Sequence, residues 1–213
     1  MALPQLGKII RARRHAVKKT LVQIASETGL TAGFISQVER NLTSPSISSL
    51  VVIAKALGVP IGDLIKQPEQ VLSASYQDQR QAYSVASGPV KYERLSTVFP
   101  GSRVHSVKFT IPSGYKSELL SHEGDEMVFV LSGQVEYTVG LKQYLLSAGD
   151  SLHFDGTIAH SVEALMHKSK QAELLWVGTA QLFDGLNGRD VEEEIGSSGN
   201  DRFMHGTEVT ASV

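Results

Sequence analysis

Cysteine is absent from this 213-residue chain, which excludes disulfide bonds, thiolate catalysis and thiolate-bound zinc fingers, and fits a reducing cytosol. Long hydrophobic runs are absent as well, none approaching the ~20 residues of a membrane-spanning helix. The opening Met1-Ala-Leu-Pro-Gln lacks the basic start and apolar stretch of a secretory signal, so the chain is read as cytoplasmic, with no membrane partner. It shows no internal repeat, no phosphate-cradling glycine loop and no Gly-x-Ser-x-Gly elbow, which argues against solenoids, P-loop chemistry and α/β-hydrolase chemistry. What is present, 41% hydrophobic and 20% charged residues, suits a soluble globular chain of one or two domains.

A strong charge of one sign is also missing, the formal balance being −2, yet the charge is unevenly spread. Over residues 1 to 66, nine Lys or Arg face three Asp or Glu, a surplus of +6; the remainder carries 11 against 19, or −8. A basic head on an acidic body steers toward phosphate. A run such as Arg11 to Lys19 is by itself no more than a solvated face, but here it precedes an informative pair of helices.

Residues 20 to 43 read as two short helices joined by a glycine turn. Thr20 can cap the first, Ile24 and Ala25 face inward, Gly29 supplies the left-handed position, Leu30 plugs the corner and Thr31 caps the second. Ile35 and Val38 anchor the second helix, leaving Ala32, Gly33, Ser36, Gln37 and Arg40 outward. An outward Gln beside small residues suits a major groove, where Gln pairs bidentately with adenine and Ala touches a thymine methyl. A plain amphipathic hairpin would share this spacing, so the flanks matter. Leu6-Gly-Lys-Ile-Ile-Arg-Ala-Arg-Arg reads as a helix before the pair. After it, Ser46 is an N-cap, Ile47, Leu50, Ile53, Ala54 and Leu57 have helical spacing, and Gly58 with Pro60 ends the run. A last turn, Ile61 to Ile65, is expected to close a five-helix bundle.

With Ile35-Ser-Gln-Val-Glu-Arg-Asn-x-Thr-x-Pro-Ser at its centre, the region from 6 to 66 resembles the phage-repressor-type (XRE-type) DNA-binding domain. The resemblance implies that Thr31, Ala32, Gly33, Ser36 and Gln37 meet the groove of double-stranded DNA. It also implies that Arg40, Asn41, Thr43 and Ser44 lie where phosphates are gripped. Ala32 and Gly33 stand where longer polar side chains are common, so direct readout rests on few residues, Gln37 foremost, and on DNA shape.

From Pro68 to about Gln81 the chain turns polar and aperiodic, as a linker would. Beyond it the periodicity alternates, as in Val104-x-Ser-Val-Lys-Phe-Thr-Ile and Gln134-Val-Glu-Tyr-Thr-Val, with Gly or Pro about every ten residues, which indicates a β sandwich or barrel. Within it, Gly114 to Gly133 and Ala148 to His160 resemble the two motifs of the cupin barrel. Gly114, His122, Glu126 and Gly133 fall on the first motif and Gly149 and His160 on the second. Leu120 stands at the first histidine position, and Asp155 and Thr157 replace the usual proline and glycine. The expected architecture is α+β with two domains: an all-α five-helix helix-turn-helix domain at 1–67, a linker at 68–82, an all-β cupin (double-stranded β-helix) barrel at 83–183, and a polar, acidic tail at 184–213.

Two imidazoles and a carboxylate on one interior face can bind a divalent first-row ion, so His122, Glu126 and His160 are candidate metal ligands for Zn, Mn, Fe or Ni. The alternative is that they hydrogen-bond a small organic ligand or one another, with no metal cofactor. Glu118 shares the inward parity of His122, and Tyr115, Arg94, Tyr92, Arg103 and His105 are further candidates to line the cavity. An interior rich in carboxylate and imidazole suits a ligand bearing an amine: an amino acid, peptide or polyamine; an inward Arg would favour carboxylates instead. The expected function is a ligand-responsive transcriptional regulator, a homodimeric repressor on a two-fold operator that releases DNA on binding its effector. Two alternatives stand beside it. One is a metal-dependent cupin enzyme, an oxygenase or isomerase, with an accessory DNA-binding head; the other is a constitutive DNA-binding protein whose barrel only dimerises.

Overall fold

A computed structural model describes residues 6–165 and 170–183. In the N-terminal part, hydroxyl side chains set where helices begin. The first helix, α1, spans Leu6–Ala16. α2 (Leu21–Thr28) opens on Thr20, which accepts from the Gln23 amide while the Gln23 side chain accepts from the Thr20 amide, a reciprocal capping box. α3 (Ala32–Glu39) opens on Thr31 and α4 (Ile47–Leu57) on Ser46, each hydroxyl accepting from the amide three residues on. Gly29 and Gly58 close α2 and α4 in the left-handed region, at φ 71° and 66°, where a side chain would be strained.

The expected fifth helix is not formed. After Pro60 the chain makes a single 3-10 turn, Ile61–Asp63, so the described head has four α-helices. Three residues with Gly62 among them are too few to repay helix nucleation; the turn survives because Ile61 and Leu64 are buried in the core.

α1 lies against α3 through two devices. Gly7 approaches so closely that a Cβ there would collide with the Val38 and Glu39 carbonyls, and its N–H donates to Asn41 Oδ1 at 3.0 Å. Beside it the Arg14 guanidinium holds Glu39 bidentately at 2.6 and 2.9 Å, both side chains buried, and donates to the Lys19 carbonyl at 3.0 Å.

The second part is all antiparallel β. Its strands are β1 (Ala82–Tyr83), β2 (Lys91–Arg94), β3 (His105–Pro112), β4 (Asp125–Ser132), β5 (Gln134–Val139), β6 (Lys142–Ser147), β7 (Ser151–Asp155), β8 (His160–Ala164) and β9 (Gln171–Gly178). They form a six-stranded sheet, β1-β2-β3-β9-β4-β7, and a three-stranded sheet, β6-β5-β8. Alternation sends Val107, Phe109 and Ile111 of β3, Val128 and Val130 of β4, Val135 and Tyr137 of β5 and Leu174 and Trp176 of β9 into a shared interior. Residues 116 and 120 bridge to β8 through Lys116↔Glu163 and Leu120↔His160, which brings this segment along the β8 edge of the smaller sheet.

The two parts touch. The Ile47 N–H at the start of α4 donates to the Tyr92 hydroxyl at 3.2 Å, and the Ser49 hydroxyl donates to Glu118 at 2.9 Å. The segment expected as a linker runs along the barrel: Arg94 donates to the Pro68 carbonyl at 3.5 Å, and Thr97 to the Val71 carbonyl at 3.4 Å. The polar tail expected at 184–213 lies outside the described residues. No described helix is long and apolar enough to cross a membrane.

Candidate functional site

The first candidate surface is the outer side of α3. Gln37, Arg40, Thr31 and Gly33 are exposed, with Ala32 and Ser36 half-buried between them. Open space surrounds Gly33, where an added Cβ would meet nothing nearer than the Thr31 hydroxyl at 3.9 Å. Thr31 spends its oxygen on the helix cap, and Arg40 folds back to donate to the Ser36 carbonyl at 3.2 Å. Two residues expected to contact phosphate have other neighbours, and a third is half-buried. Asn41, at φ 56°, anchors Gly7, Thr43 is half-buried, and Ser44 lies beside Gly88 of the barrel. Arg14, counted within the basic run, is committed to Glu39.

The second is a cavity of about 40 Å³ inside the barrel, lined by Tyr92, Phe109, Ile111, Tyr115, Glu118, Leu120, Glu126, Tyr137 and His160 among others. Glu118, Glu126, His160 and Tyr115, all expected here, line it; His122 reaches Glu126 from behind the wall at 3.0 Å. Arg94 is not brought to the cavity. Its guanidinium donates to the Ser96 carbonyl at 2.9 Å and sits 4.1 Å above the Phe183 ring, so a carbonyl and an aromatic face hold it away from the cavity lining. His105 also packs against Phe183, with burial and the nearby Arg94 lowering its pKa.

At the cavity wall, His122 Nε2 and His160 Nε2 converge on one oxygen of Glu126, at 3.0 and 3.4 Å. One ligand atom from each residue lies within 4.8 Å of the others. The other nitrogen of each ring faces a backbone carbonyl: His122 Nδ1 to Glu123 at 3.1 Å, His160 Nδ1 to Ile158 at 2.8 Å. A carbonyl only accepts, so both Nδ1 atoms carry protons, and a neutral ring turns its Nε2 lone pair toward a carboxylate. Three electron-rich atoms facing one another call for a proton, an ammonium or a metal cation between them. Burial alone would raise the Glu126 pKa, but hydrogen bonds from and charge on His122 and His160 hold it at about 2. For His122, burial lowers the pKa, yet bonding to Glu126 outweighs it and the net shift is upward. The donor set fits a divalent ion held by two histidines and a carboxylate with open positions, each ring oriented by a carbonyl behind it. Leu120, buried in the lining, offers no fourth ligand.

The departures from the second cupin motif build a working turn. Asp155 Oδ1 accepts from both the Thr157 amide and hydroxyl, at 2.9 and 2.7 Å, an Asx-type closure that replaces a proline. Gly156 between them packs so tightly on the His122 ring that a Cβ would collide with it, and its carbonyl accepts from the His122 amide at 2.9 Å. Gly156 therefore positions a histidine, a role invisible from its type alone. Tyr137 was also missed, although β5 alternation with Val135 places it inward. Ser46, Ile47 and Ser48 join the lining from the head, and no local pattern marks them.

The comparisons with known proteins divide the chain at the same joint. A helix-turn-helix family model matches residues 9–64 and a cupin domain model matches residues 107–178. The HTH-type transcriptional regulator SutR of Escherichia coli (strain K12) is 29% identical over 157 residues, covering 73% of this chain and 84% of SutR. The HTH-type transcriptional regulator PuuR of the same strain is 27% identical over 157 residues, covering 73% of this chain and 85% of PuuR. The crystal structure of an HTH_3 family transcriptional regulator from Vibrio cholerae aligns with 82% of this chain and 94% of its own, at a TM-score of 0.54 and 20% identity, a likeness of fold.

Proposed function

We infer that this chain, an XRE-type helix-turn-helix regulator with a C-terminal cupin domain, is a cytoplasmic, homodimeric repressor whose operator affinity is set by an amine-bearing metabolite in the barrel. The observation that carries the reading is an exposed recognition helix on the same chain as a cavity lined by Glu118 and Glu126 and, among the described residues, by no Lys or Arg. Such a lining favours a cationic head group, with an apolar body against Phe109, Ile111 and Leu120. An amino acid, a small peptide or a polyamine fits that chemistry. On the DNA side, Gln37 reads a base, Thr31, Ala32, Gly33 and Ser36 set its approach, and Arg40 follows the backbone.

Pairing through the barrel is supported by the outer face of the large sheet. Met127 and Phe129 of β4 lie in register with Val177 and Leu175 of β9, Leu131 follows two residues on, and Met127 and Leu131 are 40% and 44% exposed. A second copy covering this face sets two recognition helices on a two-fold operator about one helical turn apart.

The test is selection of duplexes from a random pool by the full-length protein, followed by operator titration with and without amino acids, dipeptides and polyamines. An enriched two-fold sequence is expected, with affinity lowered about 5- to 150-fold by one ligand class. Absence of any enriched sequence overturns the regulator reading.

A metal enzyme is favoured by one observation, the convergence of His122, Glu126 and His160. A bound Zn, Mn, Fe or Ni ion would polarise an oxygen of a small substrate there. Stoichiometric metal in purified protein, together with turnover after loading, would favour that reading over a regulator without catalysis.

A further inference from the structure

The cavity does not belong to the barrel alone. Ser46, Ile47 and Ser48, the cap and first turn of α4, form one wall of it. α4 follows the recognition helix directly, and its start is fastened to the barrel by the Ile47 N–H on the Tyr92 hydroxyl and by the Ser49 hydroxyl on Glu118. Ser49 is fully buried and Tyr92 nearly so. With the head in this position the cavity measures about 40 Å³. That is room for a few waters, far below the hundreds of cubic ångströms occupied by small-molecule ligands.

We propose that the start of α4 is the lid of the ligand cavity, so that a cationic amine and the docked DNA-binding head exclude one another. The ammonium takes the Glu118 carboxylate from Ser49, its apolar body occupies the space beneath Ile47, and the head leaves the barrel. This rests on the amine reading above and adds its mechanism: occupancy reports to α3 through the helix next to it. The coupling has the required form, because the ligand has room in the undocked arrangement and none in the docked one.

The absence of cysteine from the sequence makes the test direct. Val22 and Leu141 are both exposed, at 70% and 105%. Spin labels on Val22→Cys and Leu141→Cys, in chains diluted with unlabelled protein, report the distance from head to barrel by pulsed electron resonance. The free protein is expected to give one narrow distance. Ser49→Ala with Tyr92→Phe, which removes both latches and keeps both carboxylates, is expected to spread it, as is saturating n-butylamine in the otherwise unaltered protein. Titration calorimetry is expected to show n-butylamine binding the latch variant about fivefold tighter or more, since the bond it must break is already gone. Ser49→Ala alone gives the same test with a smaller amplitude should the double variant fold poorly. A broad distance in the free protein, a bound amine that leaves the distance unchanged, equal affinities, or no amine binding to either form overturns the proposal. The regulator reading fails separately, on the absence of a selected operator.

Discussion

Two side chains at the outer side of α3 are proposed to carry different duties, and substitution separates them. Gln37 is exposed on a helix face otherwise built from Ala32, Gly33 and Ser36, so little else on that face can distinguish bases. Gln37→Ala is expected to weaken cognate binding by about 1–3 kcal/mol and to relax preference at one base pair. Arg40→Ala is expected instead to weaken binding to all sequences and to lower the dependence on salt by about one unit of slope. Both effects are read from titrations of matched and single-mismatch duplexes at several salt concentrations; unchanged cognate affinity in Gln37→Ala would mean that α3 presents another face. The capping threonines, the glycine turns and the inward Ile35 and Val38 were legible because each acts within one turn of chain. Arg14 was not legible: its charge suggested phosphate, while the structure gives it to Glu39, 25 residues away.

At the level of elements, the head holds its recognition helix by clamping it to α1. Arg14 and Glu39 are both buried and mutually satisfied, an arrangement in which the loss of one partner leaves a desolvated charge. The Glu39 hydrogen bonds are the leading cause that raises the Arg14 pKa, and a guanidinium stays protonated in a protein even without such a partner. Glu39→Ala is therefore expected to lower stability by about 3–5 kcal/mol, seen as a fall in the urea midpoint. Operator affinity should fall with it as α3 loses its backing. Glu39→Ala with Arg14→Met is expected to recover most of that stability, because no unpaired charge is left behind. In the barrel, the strands and their inward faces followed from alternation, and His122, Glu126 and His160 followed from motif spacing. The expected fifth helix failed for the converse reason: apolar residues at Ile61, Leu64 and Ile65 mark burial, and burial alone does not repay helix formation over three residues.

At the scale of the whole molecule, what sequence could not supply is how the head meets the barrel, since Ile47 and Tyr92, or Ser49 and Glu118, are paired across 45 and 69 positions. The same holds for the surface proposed to pair two chains. Alternation along β4 and β9 turns Met127, Phe129, Leu131, Leu175 and Val177 outward together, an apolar band on the outer face of the large sheet. A lysine within that band would be desolvated without a partner if the face is covered, and harmless if it is not. Leu131→Lys is thus expected to shift sedimentation from dimer to monomer with the far-ultraviolet spectrum unchanged. A monomer presents one recognition helix where the operator offers two half-sites. Its operator affinity should therefore fall by the effective-concentration factor of a bivalent contact, about a hundredfold or more, while its affinity for an isolated half-site stays within about twofold of the unsubstituted protein's. Dimers that persist in Leu131→Lys would move the interface to another face and leave the apolar band without this role.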